Sequence, residues 1–242
     1  MKNVALIFAG GHGYRLKEAD RPKQFLELYG KPVIIYTIEL FEHHPEIDDI
    51  VVVCLVSWID SFKDMLKKYG IQKVRAIVPG GETSQASIYN GLCAVESSID
   101  KEEDAVVLIH DGVRPLIHKQ TISDNIRSVR EHGSCITCTP VPETIIVNTT
   151  EGIKVPHRPM LQVARAPQSF LLRDIISVHR KAIADGNTSF IDCCEMMHNY
   201  GRGLSLIDGP ADNIKITTIS DYYVFGAMLR LRKDERADLL PQ

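Results

Sequence analysis

The sequence predicts an α/β fold: a single domain built on one doubly wound, mostly parallel sheet, with a protruding β-hairpin arm. Short apolar runs of strand length alternate with amphipathic stretches of helical period over residues 4–139. These runs are apolar throughout, as strands covered on both faces are. The arm is predicted by a change of rhythm. After Pro140 two polar-alternating stretches flank a turn, and no further βα unit follows directly.

Residues 4–8 (VALIF) form the first buried strand, and 33–42 a helix with Ile34, Ile38 and Phe41 on one face. Residues 50–55 (IVVVCL) are a β-branched strand, and 58–69 an amphipathic helix closed by Gly70. Strand 74–78, helix 87–96, strand 105–109, helix 121–131 and strand 134–139 continue the alternation. The arm is expected at about 140–166, with strands at 143–147 and 154–165 and a turn at 149–152. Such an arm has too little core of its own, so it is expected to pack on a second subunit and make a homodimer. Helices are expected at 171–185, within 188–200 and at 220–231, with a strand at 204–208 and Ser220 as the last N-cap. The domain is expected to cover 1–232, leaving 233–242 as a charged, fraying tail.

Hydrophobic residues make up 44% of the chain, enough for an ordinary core, and the formal charge of −3 leaves no basic excess for a nucleic acid partner. No apolar run approaches the ~18 residues of a membrane span, and the N-terminus enters a strand at once. A cytoplasmic protein without a membrane partner is expected. Six cysteines are scattered, and Cys135-Ile-Thr-Cys138 has the spacing of a redox or zinc half-site. In a strand that spacing puts the thiols on opposite faces, and no second pair completes a zinc site. Reduced, buried cysteines fit better.

Four loops follow predicted strands, and in a doubly wound sheet ligands bind beyond the carboxyl ends of the strands. The first is Ala9-Gly10-Gly11-His12-Gly13-Tyr14-Arg15, with Arg21-Pro22-Lys23-Gln24 behind it. Its glycines let backbone N–H groups approach a phosphate, and Pro22 fixes the chain before Lys23. A Walker A loop would need Gly-Lys-Ser/Thr where Gly13-Tyr14-Arg15 stands, and a G-x-G-x-x-G fingerprint would need glycine at Leu16. A nucleoside triphosphate site is the reading the paired cations favour over a bare glycine turn. The second loop, 79–87, carries Gly80-Gly81-Glu82 and Ser87, and serves either a base or only a helix cap. The third is His110-Asp111-Gly112-Val113-Arg114-Pro115. There Asp111 suits Mg²⁺ or a ribose and Arg114 a phosphate, against a capping Asp and a surface Arg. The fourth, 212–217, places Lys215 inside an alternating strand, either at a wet cleft or on an exposed edge. No Ser-His-Asp or Cys-His order appears. Cations gathered around glycine loops suit displacement at phosphorus.

At these residues the sequence resembles the cytidylyltransferases that load CMP onto polyol phosphates. The resemblance rests on A-G-G-x-G-x-R, P-K-Q, the G-G loop with Ser87, H-D-G-V-R-P, A-P-Q-S-F and D-N-I-K-I-T, and runs from Val4 to about Leu229. It implies a Rossmann-like nucleotidyltransferase sheet with an arm exchanged in a homodimer. It implies that Phe8, Ala9, Gly10, Gly11, Gly13, Gly80, Gly81, Glu82, Ser87 and Asp111 hold CTP, and that Arg15 and Lys23 relieve charge on the α-phosphate. It implies that Arg158 and Lys215 position the acceptor phosphate, assisted by Thr144 and Arg114, and that Asp111 helps place Mg²⁺. Three departures stand out from the family pattern: Ser84 replaces an Arg, Pro142-Glu143 precedes Thr144 in place of Arg-Asp, and Ile191 stands near a Thr position. Together with Pro167-Gln168-Ser169-Phe170 they point to the branch acting on D-ribitol 5-phosphate. The branch acting on 2-C-methyl-D-erythritol 4-phosphate is the alternative, and a nucleotide-binding regulator without turnover is the alternative of another class.

Overall fold

The computed structural model describes residues 1–11, 21–100 and 102–235, the last three by backbone alone. In chain order it contains β1 (Lys2–Ala9), the ribbon strands β2 (Glu27–Leu28) and β3 (Lys31–Pro32), α1 (Val33–Glu42), β4 (Asp49–Cys54), α2 (Ile59–Lys68), β5 (Val74–Pro79), α3 (Ser84–Ser97), β6 (Ala105–Asp111), α4 (Lys119–His132) and β7 (Ser134–Pro140). There follow β8 (Val147–Thr149), β9 (Gly152–Lys154), β10 (Gln162–Leu171), α5 (Leu172–Ala184), α6 (Cys193–Asn199), β11 (Leu206–Asp208) and α7 (Ile219–Glu235).

Seven strands form the central sheet in the order β11-β7-β10-β6-β1-β4-β5. All neighbouring pairs are parallel except those of β10, which runs antiparallel to both β6 and β7. The alternation along β1 explains the two layers. Val4 and Leu6 face a core shared with α3, α5 and α6, whereas Ala5, Ile7 and Ala9 face one shared with α1, α2 and α4. Gly91 lets α3 lie directly on the sheet, since a Cβ there would come within 2.9 Å of Val53 Cγ2 and nearer still to Leu6. A third, smaller cluster of Val33, Val113, Leu116, Ile216 and Phe225 seats α7. Cys135 and Cys138 fall in opposite core layers as their spacing requires, and all six thiols are free.

The structure corrects four expectations. The arm's paired ladder is only Val147–Thr149 against Gly152–Lys154, and residues 154–165 are not one strand of it. The A-P-Q-S-F segment is instead part of β10, the strand between β6 and β7. Its register shifts between Ala164 and Gln168, so Pro167 falls where no ladder N–H is needed. Residues 212–217 form no strand, although Ile216 N–H donates to the Val113 carbonyl at 2.9 Å. The last helix starts one residue early, at Ile219, and Thr218, not Ser220, caps it. Thr218 Oγ1 accepts from Asp221 N–H at 3.2 Å while Asp221 Oδ2 accepts from Thr218 N–H at 2.8 Å, a reciprocal capping box. That helix runs on to Glu235, into the tail expected from 233, and residues 236–242 lie outside the described residues. Among the described residues no helix is long and apolar enough to cross a membrane.

His179 on α5 is 1% exposed, and neither ring nitrogen has a hydrogen-bond partner among the described residues. Burial pushes its pKa down to about 4, from 6.5 in an open chain. Protonation therefore favours the unfolded chain. Stability is full above about pH 6.5 and falls as pH drops toward 4, by roughly 2 kcal/mol at pH 5 from this residue alone. Asp111, held at about 2, changes stability only below about pH 4. In urea denaturation, His179→Leu is expected to flatten the loss of stability between pH 7 and 5. An unchanged slope would show that this ring does not titrate on unfolding.

Candidate active site

Two glycine turns meet at the carboxyl end of the sheet. A Cβ on Gly10 would lie 3.4 Å from Gly80 Cα, so the backbone after β1 and the backbone after β5 approach each other directly. Gly81 is closed to any side chain, because its Cβ would come within 2.6 Å of Ala86 Cβ. Ser87 Oγ accepts from Gly81 N–H at 3.0 Å, which shapes this turn, and Thr83 Oγ1 caps α3 by accepting from Ala86 N–H at 3.1 Å. Glu82 is exposed, and Gly11 has open space around it. Gly13 and Arg15 lie outside the described residues.

Lys23 stands half-buried on a 3-10 turn, Lys23–Phe25, entered from an extended Pro22. Two neighbours fix that turn. The buried Gln24 donates through Nε2 to the carbonyls of Ala9, at 2.6 Å, and Gly11, at 3.2 Å. Phe25 stacks on Trp58 with ring centroids 4.4 Å apart. The P-K-Q motif is thus bolted beneath the first glycine loop, and Gln24 is a positioning residue the sequence reading passed over.

At the end of β6, Asp111 is buried and bridged by two cations. Lys215 Nζ lies 2.6 Å from Oδ1 and Arg114 Nε 2.7 Å from Oδ2. Burial pushes the carboxyl up, but the two cations outweigh it and hold it at about 2. Arg114 also donates to the Asn213 carbonyl at 2.9 Å, and Asn213 Nδ2 to the Ala166 carbonyl at 2.7 Å. Gly112 N–H donates to the Phe8 carbonyl at 3.0 Å, and Lys215 Nζ stands 5.8 Å from the centre of the Phe8 ring. His110 is a buried, hydrogen-bonded residue: Nε2 pairs with the Arg114 carbonyl at 3.1 Å, and burial lowers its pKa to about 4.

These groups wall a cavity of about 230 Å³. Phe8, Asp111, Arg114 and Lys215 line it, as do Ser84, Arg165, Gln168, Ile191 and Asp192. Lys215 reaches it from an irregular segment rather than from a strand. Arg165 was not singled out in the sequence because it fell inside the expected arm. Thr144 and Arg158 do not line the cavity: both are exposed on the arm, where Arg158 donates to the Pro142 carbonyl at 3.2 Å. Among the described residues no three His, Cys, Asp or Glu side chains gather to hold a metal. Of the carboxylates that line the cavity, Asp111 would be the one to share in holding a Mg²⁺ carried mainly by substrate phosphates and water, as that ion commonly is, although Lys215 and Arg114 already hold its two oxygens.

The arrangement can bind phosphorylated molecules and relieve negative charge on them; among the described residues it contains no activated nucleophile. Cys193, beside the cavity, is buried and its thiol pKa is pushed well up by burial. Comparison with known proteins agrees with this chemistry. The chain is 52% identical over 229 residues to a ribitol-5-phosphate cytidylyltransferase of Vibrio parahaemolyticus, covering 94% of this chain and 95% of that one. It is 38% identical to a 2-C-methyl-D-erythritol 4-phosphate cytidylyltransferase of Clostridium botulinum, covering 91% and 94%. Its fold matches the crystal structure of 4-diphosphocytidyl-2C-methyl-D-erythritol synthase from Anaerococcus prevotii with a TM-score of 0.81, at 27% identity and 95% and 96% coverage, so the sheet is the Rossmann-like nucleotidyltransferase one. The model of a single family, described as IspD, 2-C-methyl-D-erythritol 4-phosphate cytidylyltransferase, matches residues 3–231, and the chain belongs to that family of cytidylyltransferases.

Proposed function

We propose that this cytidylyltransferase transfers CMP from CTP to D-ribitol 5-phosphate, giving CDP-ribitol and pyrophosphate for a surface polymer. The observation that carries the choice of acceptor is the higher identity, over nearly the whole chain, to the relative named for ribitol 5-phosphate than to the one named for methylerythritol phosphate. Ile191, an apolar side chain at the cavity wall, is consistent with an acceptor read differently from methylerythritol phosphate.

In this reading an oxygen of the acceptor phosphate attacks the α-phosphorus of CTP in line. The new P–O bond forms as the bond between the α-phosphorus and the bridging oxygen breaks, and that oxygen leaves with its electron pair on pyrophosphate. No covalent enzyme intermediate is needed. Gly10 and Gly11 offer backbone to the nucleotide, and Gly80 and Gly81, whose N–H groups are taken by the Cys54 carbonyl and Ser87 Oγ, let it approach closely. Lys23, with Arg15, neutralises charge that builds on the α-phosphate and leaving group. Lys215 and Arg114, both oriented by Asp111, meet the incoming phosphate. Mg²⁺, when bound beside Asp111, would add charge neutralisation at the triphosphate.

The arm supports a homodimer. Ile146, Ile153, Val155 and Met160 stand exposed on a ribbon with no core beneath it, and Thr144 and Arg158 would then serve a partner's cavity. The six free cysteines support a cytoplasmic setting.

Three outcomes are expected. Pyrophosphate release, measured side by side, is faster with D-ribitol 5-phosphate than with 2-C-methyl-D-erythritol 4-phosphate; the reverse order would overturn the acceptor. Lys23→Ala lowers kcat by about 10²–10³ while its thermal midpoint stays near that of the parent; undiminished turnover would remove Lys23 from the mechanism. Sedimentation equilibrium at micromolar concentration gives twice the chain mass, and a monomer there would contradict the arm reading.

A further inference from the structure

The cavity contains a cation that no carboxylate among the described residues balances. Three cations, Arg114, Arg165 and Lys215, face two carboxylates, Asp111 and Asp192. Asp111 is shared by Arg114 and Lys215. Asp192 is engaged on both oxygens: Oδ1 accepts from Glu195 N–H at 2.9 Å, capping α6, and Oδ2 accepts from Gln168 Nε2 at 2.9 Å. Arg165 is half-buried, and its one hydrogen bond among the described residues runs from Nε to Thr139 Oγ1 at 3.3 Å. Both terminal nitrogens of its fork are left for something else. Burial and the like charge of Arg114 both weigh against its charged form, yet a guanidinium does not give up its proton. The remaining way to relieve that cost is an anion, and a phosphate matches the planar fork in two parallel bonds.

Two kinds of phosphate enter this site, and the sheet order separates them. The glycine turns and Lys23 belong to the β1–β4–β5 side, whereas Arg165 lies on β10, on the other side of β6 and its Asp111. The triphosphate therefore occupies the glycine side and the acceptor the β10 side. On either side of Arg165 in β10 stand Ala164 and Ala166, which also line the cavity and whose side chains offer no hydrogen bond. We propose that Arg165 binds the phosphate of the acceptor from within the same chain, and so takes part in selecting a phosphorylated acceptor. This rests on the cytidylyl-transfer reading above but not on which polyol is used.

The test is steady-state pyrophosphate release, varying acceptor at saturating CTP and then CTP at saturating acceptor, with whichever polyol phosphate the parent enzyme turns over. A wrong choice of polyol thus appears in the parent, and a wrong role for Arg165 only in the variants. Arg165→Gln is expected to raise the acceptor KM by about 10–100-fold, the range lost with one charged hydrogen-bonding group. The CTP KM should stay within about twofold. Inorganic phosphate should compete less well with the acceptor, in parallel, and Arg165→Lys should recover part of the loss. An equal rise in both KM values would assign the guanidinium to the triphosphate and overturn the proposal. No change in either would reduce Arg165 to part of the wall and overturn it as well. Should Arg165→Gln not fold, Arg165→Lys, which keeps the charge and loses the fork, must still raise the acceptor KM several-fold; a parental value there overturns the proposal.

Discussion

Asp111 is withdrawn from water at the end of β6, and its two oxygens are divided between Lys215 and Arg114. A lone buried carboxylate costs several kcal/mol in lost hydration, and removing one member of such a cluster leaves the others uncompensated. What makes the cluster stable is its connectivity. Arg114 holds the Asn213 carbonyl and Asn213 holds the Ala166 carbonyl, so β6, β10 and the segment that carries Lys215 are tied at one point. The irregular course of residues 212–217 is affordable because these bonds, and that of Ile216 to Val113, replace the ladder it lacks.

The same logic governs the glycine side. A turn that presents backbone N–H groups to a ligand cannot use them in a ladder, so it must be held by its other groups. Gln24 takes the carbonyls of Ala9 and Gly11; Ser87 instead takes Gly81 N–H itself, so the second turn gives a ligand close approach rather than that donor. Each is a buried polar side chain whose bonds cross from one loop or helix to another. The loops themselves contribute little; the residues behind them fix where the donors point.

The layered sheet was legible because its signals are local. Val33–Glu42 emerges as a helix with the bounds its period predicts, and the alternation in β1 sorts residues between two cores. The glycine loops, Asp111, Arg114 and Lys215 were legible as chemistry; the two glycine turns meet each other, and Asp111, Arg114 and Lys215 line one cavity with Phe8, which the glycines do not line. What escaped depends on long-range context. Pro167 argues against a strand interior, and only the register shift against β7 shows how β10 accommodates it. With β10 unseen, residues 154–165 were drawn into the arm and Arg165 with them. Ile214-Lys215-Ile216 alternates like a strand, but no strand lies beside it to pair with. Thr218 and Ser220 are equally good caps by type; the position of Asp221 three residues after Thr218 decides between them.

The position of β10 links the arm to the cavity. Because it is antiparallel to β6, its first residues lie at the end of the sheet where the parallel strands finish. Those residues continue directly from the arm, so arm and cavity wall are one uninterrupted stretch of chain. Gln168 extends the link: its amide donates to Asp192 and accepts from Cys194 N–H at 2.9 Å, which fixes the start of α6 against the same strand. A force that moved the arm would act first on Arg165 and then, through Gln168, on Asp192 and Ile191. Arg165 and Gln168 thus share one stretch of chain with the arm, whereas the glycine turns are held through β1, β5 and Gln24. On the proposed reading, whatever the arm packs against bears on the acceptor before it bears on the nucleotide.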